Sequence, residues 1–452
     1  MTARAGGERV TVPLCEIDSV HVAEADGRGV SAAALEAPAP GDRSPTWTLP
    51  VSGWVIGQRA PARQVRVGRG AASWALPVHD HRADVADGHP GREWARHAGF
   101  SGAVNTLRLP PRFELAVTAE LEDGTECSLG TIAGHRAPLH TSYEPELQPL
   151  FVTTLGRTGS TWLIHLLGCH PAVTAYRPFS FEPRAATYWI DVLTSLAEPA
   201  SYTQQVEGEV HYPRPWWLGS GTRMTSELLP DEELARWLGS EHVADLASFA
   251  QQRIDAVYRH VAALDAGEPE FFAEKCLPES NVPQLLHELY PEGREIFLVR
   301  DFRDMLCSIR SFNDKRGSAA FGLDGTGAEE TYVFEGLAPS IANLRDEWHA
   351  RAGSATLVRY EDLILDPETT LRGLLDHAGL DASAELVAEM LTRASEPVPG
   401  MTVHMTADGQ RASIGRWQRE LEPRLREMCD EAFGDALAEF GYEPTRAAGP
   451  QG

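Results

Sequence analysis

The sequence has little positive charge for its length. Its 40 Lys and Arg residues stand against 65 Asp and Glu residues, which gives a formal net charge of −25. A surface this acidic repels nucleic acid and anionic membranes at long range, so neither is expected as a partner. Such a protein can hold a multiply charged anion only where cations are concentrated locally. Basic residues beside tight turns are therefore the first candidates for a site.

Paired cysteines and long apolar runs are also missing. None of the six cysteines forms a CxxC pair, which favours free thiols over a disulfide framework or a zinc site, and no metal is expected. No run approaches the roughly 18 apolar residues of a membrane span, and residues 1–15 lack the apolar core of a signal peptide. These features predict a cytoplasmic protein without a membrane span and leave its oligomeric state open.

The chain of 452 residues is long for one domain, and its 42% hydrophobic and 23% charged residues are typical of a globular protein. Changes in texture along the chain divide it into five predicted segments. They are a partly disordered lead-in (1–45), a β-sandwich domain (46–135), a linker (136–148), an α/β domain (149–443) and a flexible tail (444–452).

The segment 46–135 has the pattern of an all-β domain. Short runs that alternate in polarity or are rich in β-branched residues are separated by Gly, Pro and Asp-Gly. The predicted strands are Trp47–Val51, Gln64–Val67, Ala103–Leu109, Glu114–Ala119 and Cys127–Ile132. The Asp123-Gly124 pair between the last two is a hairpin signal. Strands of this length and spacing favour a sandwich.

The segment 149–443 alternates strands with helices. Apolar strands are predicted at 149–154, 295–299 and 355–360, and helical periodicity recurs at 161–167, 226–264 and 281–290. Strands separated by helical segments predict a parallel sheet flanked by helices, an α/β fold with a P-loop-like turn after its first strand.

The clearest motif is Gly156-Arg157-Thr158-Gly159-Ser160-Thr161, directly between the first of these strands and a helix. A Gly-rich loop there lets backbone N–H groups converge on an anion. An ATP-binding P-loop has a Lys before its Ser/Thr, but here the cation is Arg157 and no Lys precedes the Ser160-Thr161 pair. This departure disfavours a magnesium-dependent kinase; a Gly/Ser turn without a ligand is the structural alternative.

A second motif follows the 295–299 strand. The strand ends at Arg300, and Ser308 lies eight positions further, two turns into a predicted helix. Asp301 is placed to cap that helix, and Asp304 lies in its first turn. The Ser308 hydroxyl can then reach the same anion as the Arg300 guanidinium. The alternative is that Arg300 is only a surface ion-pair partner.

In type and order, the two motifs resemble the 5′-phosphosulfate loop and the 3′-phosphate site of the sulfotransferases that use 3′-phosphoadenosine 5′-phosphosulfate (PAPS), with closer similarity to the carbohydrate and tyrosylprotein branches. The resemblance covers roughly 149–443. It implies transfer of a sulfuryl group from PAPS to a hydroxyl or amine, with 3′,5′-adenosine bisphosphate (PAP) as product and no metal required.

The stretch Ser413-Ile414-Gly415-Arg416-Trp417 is similar to the C-terminal segment that closes over the nucleotide in this family, which implies contacts from Ser413, Arg416 and Trp417. Besides Trp417, the resemblance implies ten nucleotide-binding residues. They are Gly156, Arg157, Thr158, Gly159, Ser160, Thr161, Arg300, Ser308, Ser413 and Arg416.

The same resemblance implies catalytic residues. Arg157 suits stabilisation of the oxygen on which charge develops. Lys275, in Glu274-Lys275-Cys276-Leu277-Pro278, resembles a lysine near the sulfuryl group of some carbohydrate and tyrosylprotein sulfotransferases. The alternative for Lys275 is a solvated lysine after a strand.

The catalytic base is less well marked. Several relatives have a Glu-Pro pair a few residues after a His-Pro pair, but after His170-Pro171 this chain has Arg177-Pro178 and only later Glu182-Pro183. Glu182 is the candidate base. His165, on the loop helix, fits packed structure better.

The acceptor is expected to be a small molecule or a carbohydrate. Four aromatic residues in a Pro/Gly-punctuated stretch can stack on a sugar or an aglycone, or belong to a core; they are Tyr202, Tyr212, Trp216 and Trp217. The Gly-rich segment 313–336 indicates a mobile loop or lid. Two other functions stay open: a P-loop kinase or nucleotide hydrolase, and a nucleotide-binding relative without catalysis.

Overall fold

The protein is described by a computed structural model. The described residues are 13–23, 29–69, 72–197, 204–206, 209–211, 232–265, 267–278, 282–317, 320–321, 323, 329–351, 353–401, 405–443 and 445. Tyr202, Tyr212, Trp216 and Trp217 lie outside them, as do residues 1–12 and most of the predicted tail. Within these ranges, no helix combines the length and apolar character needed to cross a bilayer. The six cysteines are free and buried.

The described residues form two compact units, one drawn from 1–142 and 190–250 and the other from 143–189 and 251–452. The first unit contains a nine-strand antiparallel sheet with the order β2-β4-β7-β6-β5-β8-β9-β1-β3. Its strands are β1 (Cys15–Val22), β2 (Val30–Ala37), β3 (Arg43–Ser44), β4 (Thr48–Gly57), β5 (Ala62–Arg69), β6 (Ala72–Asp80), β7 (Gly99–Asn105), β8 (Arg112–Leu121) and β9 (Glu126–Arg136).

This sheet encloses one hydrophobic core. Every second side chain of β8 from Phe113 to Leu121 is buried, and these residues cluster with Val65 of β5, Ile132 of β9 and Val51 of β4. Alternating burial is what the sequence pattern predicted. Four of the five predicted strands fall on strands of the sheet, and Ala103–Leu109 does so only in part, because β7 ends at Asn105 and a 3-10 turn, Thr106–Arg108, follows. The prediction of an all-β domain is confirmed in the form of this antiparallel sheet.

The structure differs from the predicted lead-in, because β1, β2 and β3 all lie before residue 46 and belong to the sheet. Cys15 and Ile17 are buried, and β1 pairs with β9 along most of its length. A β-bulge between Ile17 and Ser19 interrupts the alternation that marks a strand in a sequence. The lead-in was therefore hard to recognise as sheet.

The segment 190–250 groups with the first unit. The Asn105 side chain donates to the carbonyl of Thr194, and the Trp47 N–H donates to the carbonyl of Gly239. A short antiparallel hairpin in this segment joins β12 (Gln204–Val206) to β13 (Glu209–His211). The periodicity predicted over 226–264 corresponds to two helices, Glu232–Leu238 and Glu241–Ala262.

The second unit is built on a five-strand sheet in which every neighbouring pair is parallel. Its order is β11-β14-β10-β15-β16. The strands are β10 (Gln148–Thr154), β11 (Val173–Ala175), β14 (Phe271–Cys276), β15 (Arg294–Val299) and β16 (Thr356–Arg359). The strand order reverses at β10, which has β14 on one side and β15 on the other, and such a reversal leaves a crevice at the carboxyl ends of the strands.

The helices, in chain order, are α1 (Ala83–Gly88), α2 (Ser160–Leu167), α3 (Ala185–Leu196), α4 (Glu232–Leu238), α5 (Glu241–Ala262), α6 (Val282–Leu289), α7 (Phe302–Arg316), α8 (Glu329–Thr331), α9 (Ala338–Arg351), α10 (Tyr360–Leu365), α11 (Pro367–Ala378), α12 (Ala384–Ala394), α13 (Trp417–Glu420) and α14 (Pro423–Glu439). A π-helical turn, Tyr332–Leu337, joins α8 to α9.

The parallel sheet is covered on both faces. Ile296 and Leu298 of β15 belong to a core cluster with α2 and α11, whereas Phe297 and Val299 belong to a second cluster with α7 and α14. A strand buried on both faces is apolar at successive positions. This is why the predicted strands at 149–154 and 295–299 were visible in the sequence, and both are confirmed. The predicted strand at 355–360 is confirmed as β16, although it is only partly buried.

A buried ion pair joins β15 to α9. The Arg351 Nε lies 2.6 Å from Glu295 Oε2, Thr153 donates to the same carboxyl, and Arg351 Nη1 donates to Gln284 Oε1 at 2.9 Å. Burial raises the pKa of Glu295 to about 7 even though Arg351 lowers it. Removing one partner of such a pair leaves the other buried and uncompensated.

We expect Arg351→Met to lower the free energy of unfolding by about 3–5 kcal/mol, measured by urea denaturation. Arg345→Met is the matched control, because Arg345 is on the same helix but pairs with Glu439 in a half-exposed position; its loss should stay below about 1 kcal/mol. Equal losses for the two variants would contradict this interpretation.

Candidate active site

The loop between β10 and α2 carries the first motif. Arg157 has φ 68° and Gly159 has φ 97°, so the chain adopts two left-handed residues before the helix begins at Ser160. The N–H groups of Ser160 and Thr161 at the start of α2 have no acceptor one turn earlier in the helix, and the N-cap residue, Gly159, has no side chain to cap them. The next N–H group, that of Trp162, donates to the Gly159 carbonyl at 3.1 Å. The loop therefore directs unpaired N–H groups and the positive end of the helix dipole toward one point.

Neither glycine of this loop leaves room for a larger residue, because each packs against an aromatic ring. A Cβ on Gly159 would lie 2.5 Å from the Tyr360 ring, and one on Gly156 would lie 2.6 Å from the Phe321 ring. Thr158 is fully buried and its hydroxyl bonds with the hydroxyl of Thr154 at 2.6 Å. Thr158 thus holds the loop in place and does not face the cavity.

The second motif approaches the loop from β15. The Arg300 Nη1 donates to the carbonyl of Arg157 at 3.1 Å, its Nη2 donates to the carbonyl of Ser413 at 2.6 Å, and its guanidinium lies over the Tyr360 ring. Its Nε is buried and has no hydrogen-bond partner in the described part of the chain. Arg300 is therefore held rigidly and keeps one unsatisfied donor.

Ser308 lies on α7 beside the same loop. The Arg157 Nε donates to Ser308 Oγ at 3.2 Å, and Ser308 Oγ is 3.0 Å from Thr406 Oγ1. Asp301 caps α7 by accepting from the Arg303 N–H, as predicted. Asp304 also accepts hydrogen bonds, from the N–H groups of Gly415 and Trp417, and so ties the C-terminal segment to this helix.

The predicted residues of the segment Ser413–Trp417 have different places in the structure: one lines the cavity and two lie behind its wall. Ser413 lines the cavity, and its Oγ lies 3.1 Å from the Tyr360 hydroxyl. Arg416, which was predicted to touch the nucleotide, instead pairs with Glu420 at 2.7 Å and donates to the Thr406 carbonyl. The Trp417 ring is covered by the Arg303 guanidinium at 3.8 Å. Arg416 and Trp417 thus support the wall, which Thr406 lines.

Lys275 and Glu182 also line the cavity and contact each other. The Lys275 Nζ donates to Glu182 Oε1 at 3.2 Å, and Arg184 Nη2 donates to Glu182 Oε2 at 2.9 Å. The Lys275 side chain is only 7% exposed and lies within β14, so it is not the solvated lysine of the alternative interpretation. Burial lowers its pKa, against the opposing effect of Glu182.

Glu182 is ionised by its neighbours. Burial alone would raise the pKa of its carboxyl, but the charges of Lys275 and Arg184 outweigh burial and lower the pKa below its usual value. His165, by contrast, packs on the Phe181 ring at 5.2 Å, and burial lowers its pKa. It does not line the cavity.

These residues surround a cavity of about 620 Å³ at the carboxyl edge of the parallel sheet. One wall is cationic and polar; it includes Arg157, Gly159, Ser160, Thr161, Lys275, Arg300, Ser308 and Ser413. Another wall is apolar and comes from α2, α12 and the following segment; it includes Trp162, Leu391, Ala394, Val398 and Met401. The two predicted motifs thus face one cavity.

Cations in this cavity repel one another. Burial, together with the charges of Arg300, Arg316 and Arg416, lowers the pKa of Arg157 to about 10. A cluster of buried guanidinium groups is unfavourable unless an anion balances it. The site is therefore electrostatically prepared for a ligand with several negative charges.

Sequence reasoning missed several cavity residues. Tyr360 directly follows β16, and binding sites form at the carboxyl ends of parallel strands, so its place in the cavity could have been predicted. Thr406 and Phe321 had no such signal, because they lie in irregular segments. The predicted lid 313–336 is helical in part: α7 continues to Arg316, and α8 with the π-helical turn begins at Glu329. Of the residues between them, Phe321 lines the cavity.

Within the described chain, no group of three or more His, Cys, Asp or Glu residues is placed to hold a metal ion. The fold and the cavity together define the class: an α/β protein whose parallel strands end at a cation-lined cavity suited to an anionic ligand.

The comparisons identify the family. The family model described as "Sulfotransferase family" matches residues 149–384, more than half of the chain. The chain therefore belongs to the sulfotransferase family. No curated protein matches it.

Solved structures with similarity to the chain include three sulfotransferases. The sulfotransferase domain from the curacin biosynthetic pathway is 18% identical, with 67% of this chain and 100% of that chain covered and a TM-score of 0.37. A mouse sulfotransferase complexed with PAP is 12% identical, with coverage of 66% and 86% and a TM-score of 0.37. A sulfotransferase from Mycobacterium avium is 18% identical, with coverage of 66% and 78% and a TM-score of 0.36.

The packing of Gly159 against Tyr360 leads to a prediction. We expect Gly159→Ala to reduce the free energy of unfolding by about 1–3 kcal/mol more than Gly379→Ala, since only the first adds a steric clash to left-handed strain. Gly379 has φ 72° and open space around its Cα, which makes it the control for the backbone effect. Chemical denaturation measures both, and equal losses would show that the Tyr360 contact is unimportant.

Proposed function

We propose that the chain transfers a sulfuryl group from PAPS to a hydroxyl or amine of an acceptor and releases PAP. The observation that carries this proposal is that two sets of residues suited to anion binding line one cavity and contact each other: Arg157 and Gly159–Thr161 of the loop, and Arg300 with Ser308. A nucleotide with charged groups at both its 5′ and 3′ positions matches this pair, whereas a simple phosphate or sulfate ion would need only one of them.

The residues fit this nucleotide. The loop N–H groups at the start of α2, with Arg157, would hold the 5′-phosphosulfate. Arg300 has a buried Nε without a partner and, with the Ser308 hydroxyl, would hold the 3′-phosphate. Trp162, Leu391 and Val398 offer apolar surface in the same cavity, as an adenine ring requires. Neither Gly156 nor Thr158 lines the cavity, and we assign both to the shape of the loop.

In this mechanism the donor supplies an activated sulfuryl group on a phosphate leaving group. The acceptor oxygen or nitrogen forms a bond to sulfur while the bond from sulfur to the bridging oxygen breaks, and the acceptor proton passes to Glu182. Lys275 and Arg157 stabilise the charge that develops on the sulfuryl and bridging oxygens. The cations of the site are side chains, so this assignment requires no metal.

The Glu182 carboxylate is a weak base, because Lys275 and Arg184 lower its pKa. Its protonation would therefore reduce the rate only at a pH below the usual range of a glutamate, and it gives no loss of activity near neutrality. The contacts of Lys275 with Glu182 also mean that the acceptor must enter beside this pair, where Ser180 and Arg184 line the cavity.

We propose that the acceptor is a small molecule or a carbohydrate. We also propose that the chain is more similar to the carbohydrate and tyrosylprotein branches of the family than to its other branches. We propose that residues 149–443 are the catalytic domain, that the N-terminal sheet is a β-sandwich accessory domain, and that the protein acts in the cytoplasm. A kinase or hydrolase is disfavoured, since the loop has no lysine before Ser160. A nucleotide-binding relative without catalysis differs from our proposal only in turnover.

The first test of this proposal is calorimetric titration with PAP, compared with ATP and magnesium. We expect PAP to bind without a metal and more tightly than ATP. Arg300→Met should weaken PAP binding at least tenfold, because one truncated charge-assisted contact costs about 1.5–3 kcal/mol.

Arg310→Met is the matched control for that variant. Arg310 is on α7 like Ser308, but it is partly exposed and pairs with Glu329, so PAP affinity should stay within about twofold of the wild type. Tight magnesium-dependent ATP binding, or equal PAP affinity in Arg300→Met and the wild type, would refute the assignment.

A second test separates chemistry from binding. We expect Lys275→Met and Glu182→Gln each to lower kcat by about 10²–10⁴-fold with labelled PAPS and a responsive acceptor, while PAP affinity changes less than about threefold. Turnover that is unaffected by either change would favour a role outside catalysis for the pair. Complete absence of turnover with intact PAP binding would favour the non-catalytic relative.

A further inference from the structure

The buried carboxyl of Glu274 lies one residue before Lys275 on β14, on the opposite side of the strand. Its side chain is 1% exposed. Both of its oxygens accept from the Ala186 N–H, at 3.3 and 3.2 Å, and Oε2 accepts from the Tyr258 hydroxyl at 2.5 Å. Glu274 therefore joins three elements: β14, the start of α3, and α5.

Helix α3 needs an acceptor from elsewhere. Arg184 directly precedes its first residue, and a guanidinium has donors only, so it cannot accept from the first N–H groups of the helix. Glu274 supplies the missing acceptor from the neighbouring strand, with a negative charge that suits the positive end of the helix. The start of α3 is thus fixed to the strand that carries Lys275.

Glu182 lies three residues before α3 on the same short segment. Its two carboxyl oxygens contact Lys275 on β14 and Arg184 at the helix start. The position of Glu182 therefore depends on the attachment of α3 to β14. From this geometry we infer that Glu274 is a positioning residue, which sets the Lys275–Glu182 pair by capping α3; the inference rests on the proposed function of that pair.

The charge state of Glu274 gives this role a measurable signature. Burial raises its pKa to about 7, against the lowering effects of Tyr258 and the α3 N–H groups. The other titratable groups around it are Tyr258 of α5, Tyr290 after α6, Cys276 of β14, and Arg184. Burial raises the pKa values of the two tyrosines and the cysteine well above their ordinary values, so Glu274 is the member of this group that titrates near neutrality.

The raised pKa of Glu274 determines the direction in which kcat changes with pH. Below about pH 7 Glu274 is protonated, and its hydrogen bonds to α3 lose their charge assistance. Above that pH it is ionised and caps the helix fully. We expect kcat of the wild type to fall as the pH drops through about 7, which gives the pH profile of kcat an acidic limb there. Glu182 does not cause this limb, because its own pKa is lowered.

The experiment compares the wild type with Glu274→Gln. The variant should lower kcat about tenfold, remove the limb near pH 7, and leave PAP affinity within about twofold. It should also speed hydrogen exchange in the first turn of α3 and raise the rate of reductive methylation at Lys275, both measured by mass spectrometry on the folded protein. Neither of these last two readouts requires turnover.

Glu295→Gln is the matched control. Glu295 is also buried, its pKa is also raised to about 7, and its contacts are with Arg351 and Thr153. This variant should lower the melting temperature without changing α3 exchange or Lys275 methylation. The inference is overturned if Glu274→Gln leaves exchange and methylation unchanged, or if PAP affinity falls together with kcat. Failure of the wild type to bind PAP would instead refute the proposed function, while exchange and methylation still decide the role of Glu274.

Discussion

Repulsion among buried cations is the constraint on which the catalytic unit depends. In a chain with a net charge of −25, Arg157 and Arg300 meet at the carboxyl edge of the parallel sheet, within the electrostatic reach of Arg316 and Arg416. Arg300 is held by two carbonyl oxygens and the Tyr360 ring, and Arg157 contacts the Ser308 hydroxyl and the Phe312 ring, whereas Arg416 pairs with the Glu420 carboxylate. These contacts fix the guanidinium groups of Arg157 and Arg300 at the cavity, which both residues line, and their positive charge there attracts an anion.

The balance of charge differs between two groups of residues that line the cavity. Around Arg157 and Arg300 the cations are in excess, which suits binding of a charged nucleotide. Around Glu182 the balance is closer, because Lys275 and Arg184 share one carboxylate. A cation that shares a carboxylate keeps that carboxylate ionised, which suits proton acceptance. The two groups of residues therefore differ in local net charge, and Arg157 serves both binding and chemistry in the proposed mechanism.

Much of this could be predicted from the sequence, for physical reasons that particular elements illustrate. β10 and β15 were visible because strands buried on both faces are continuously apolar, and the loop between β10 and α2 was visible because glycine must occupy its left-handed position at Gly159. Arg300 and Ser308 followed from helix geometry once the strand end was known. β14 was harder to see, because Glu274 and Lys275 interrupt its apolar pattern with two buried charged residues that only tertiary contacts can satisfy.

The cavity wall draws on residues from Arg157 to Ser413, almost the full length of the second unit. During synthesis the loop, Arg300 and Ser308 leave the ribosome well before Ser413, whose carbonyl completes the contacts of Arg300. The contacts of Arg300 are therefore complete only after a segment 113 positions further along the chain has folded against it.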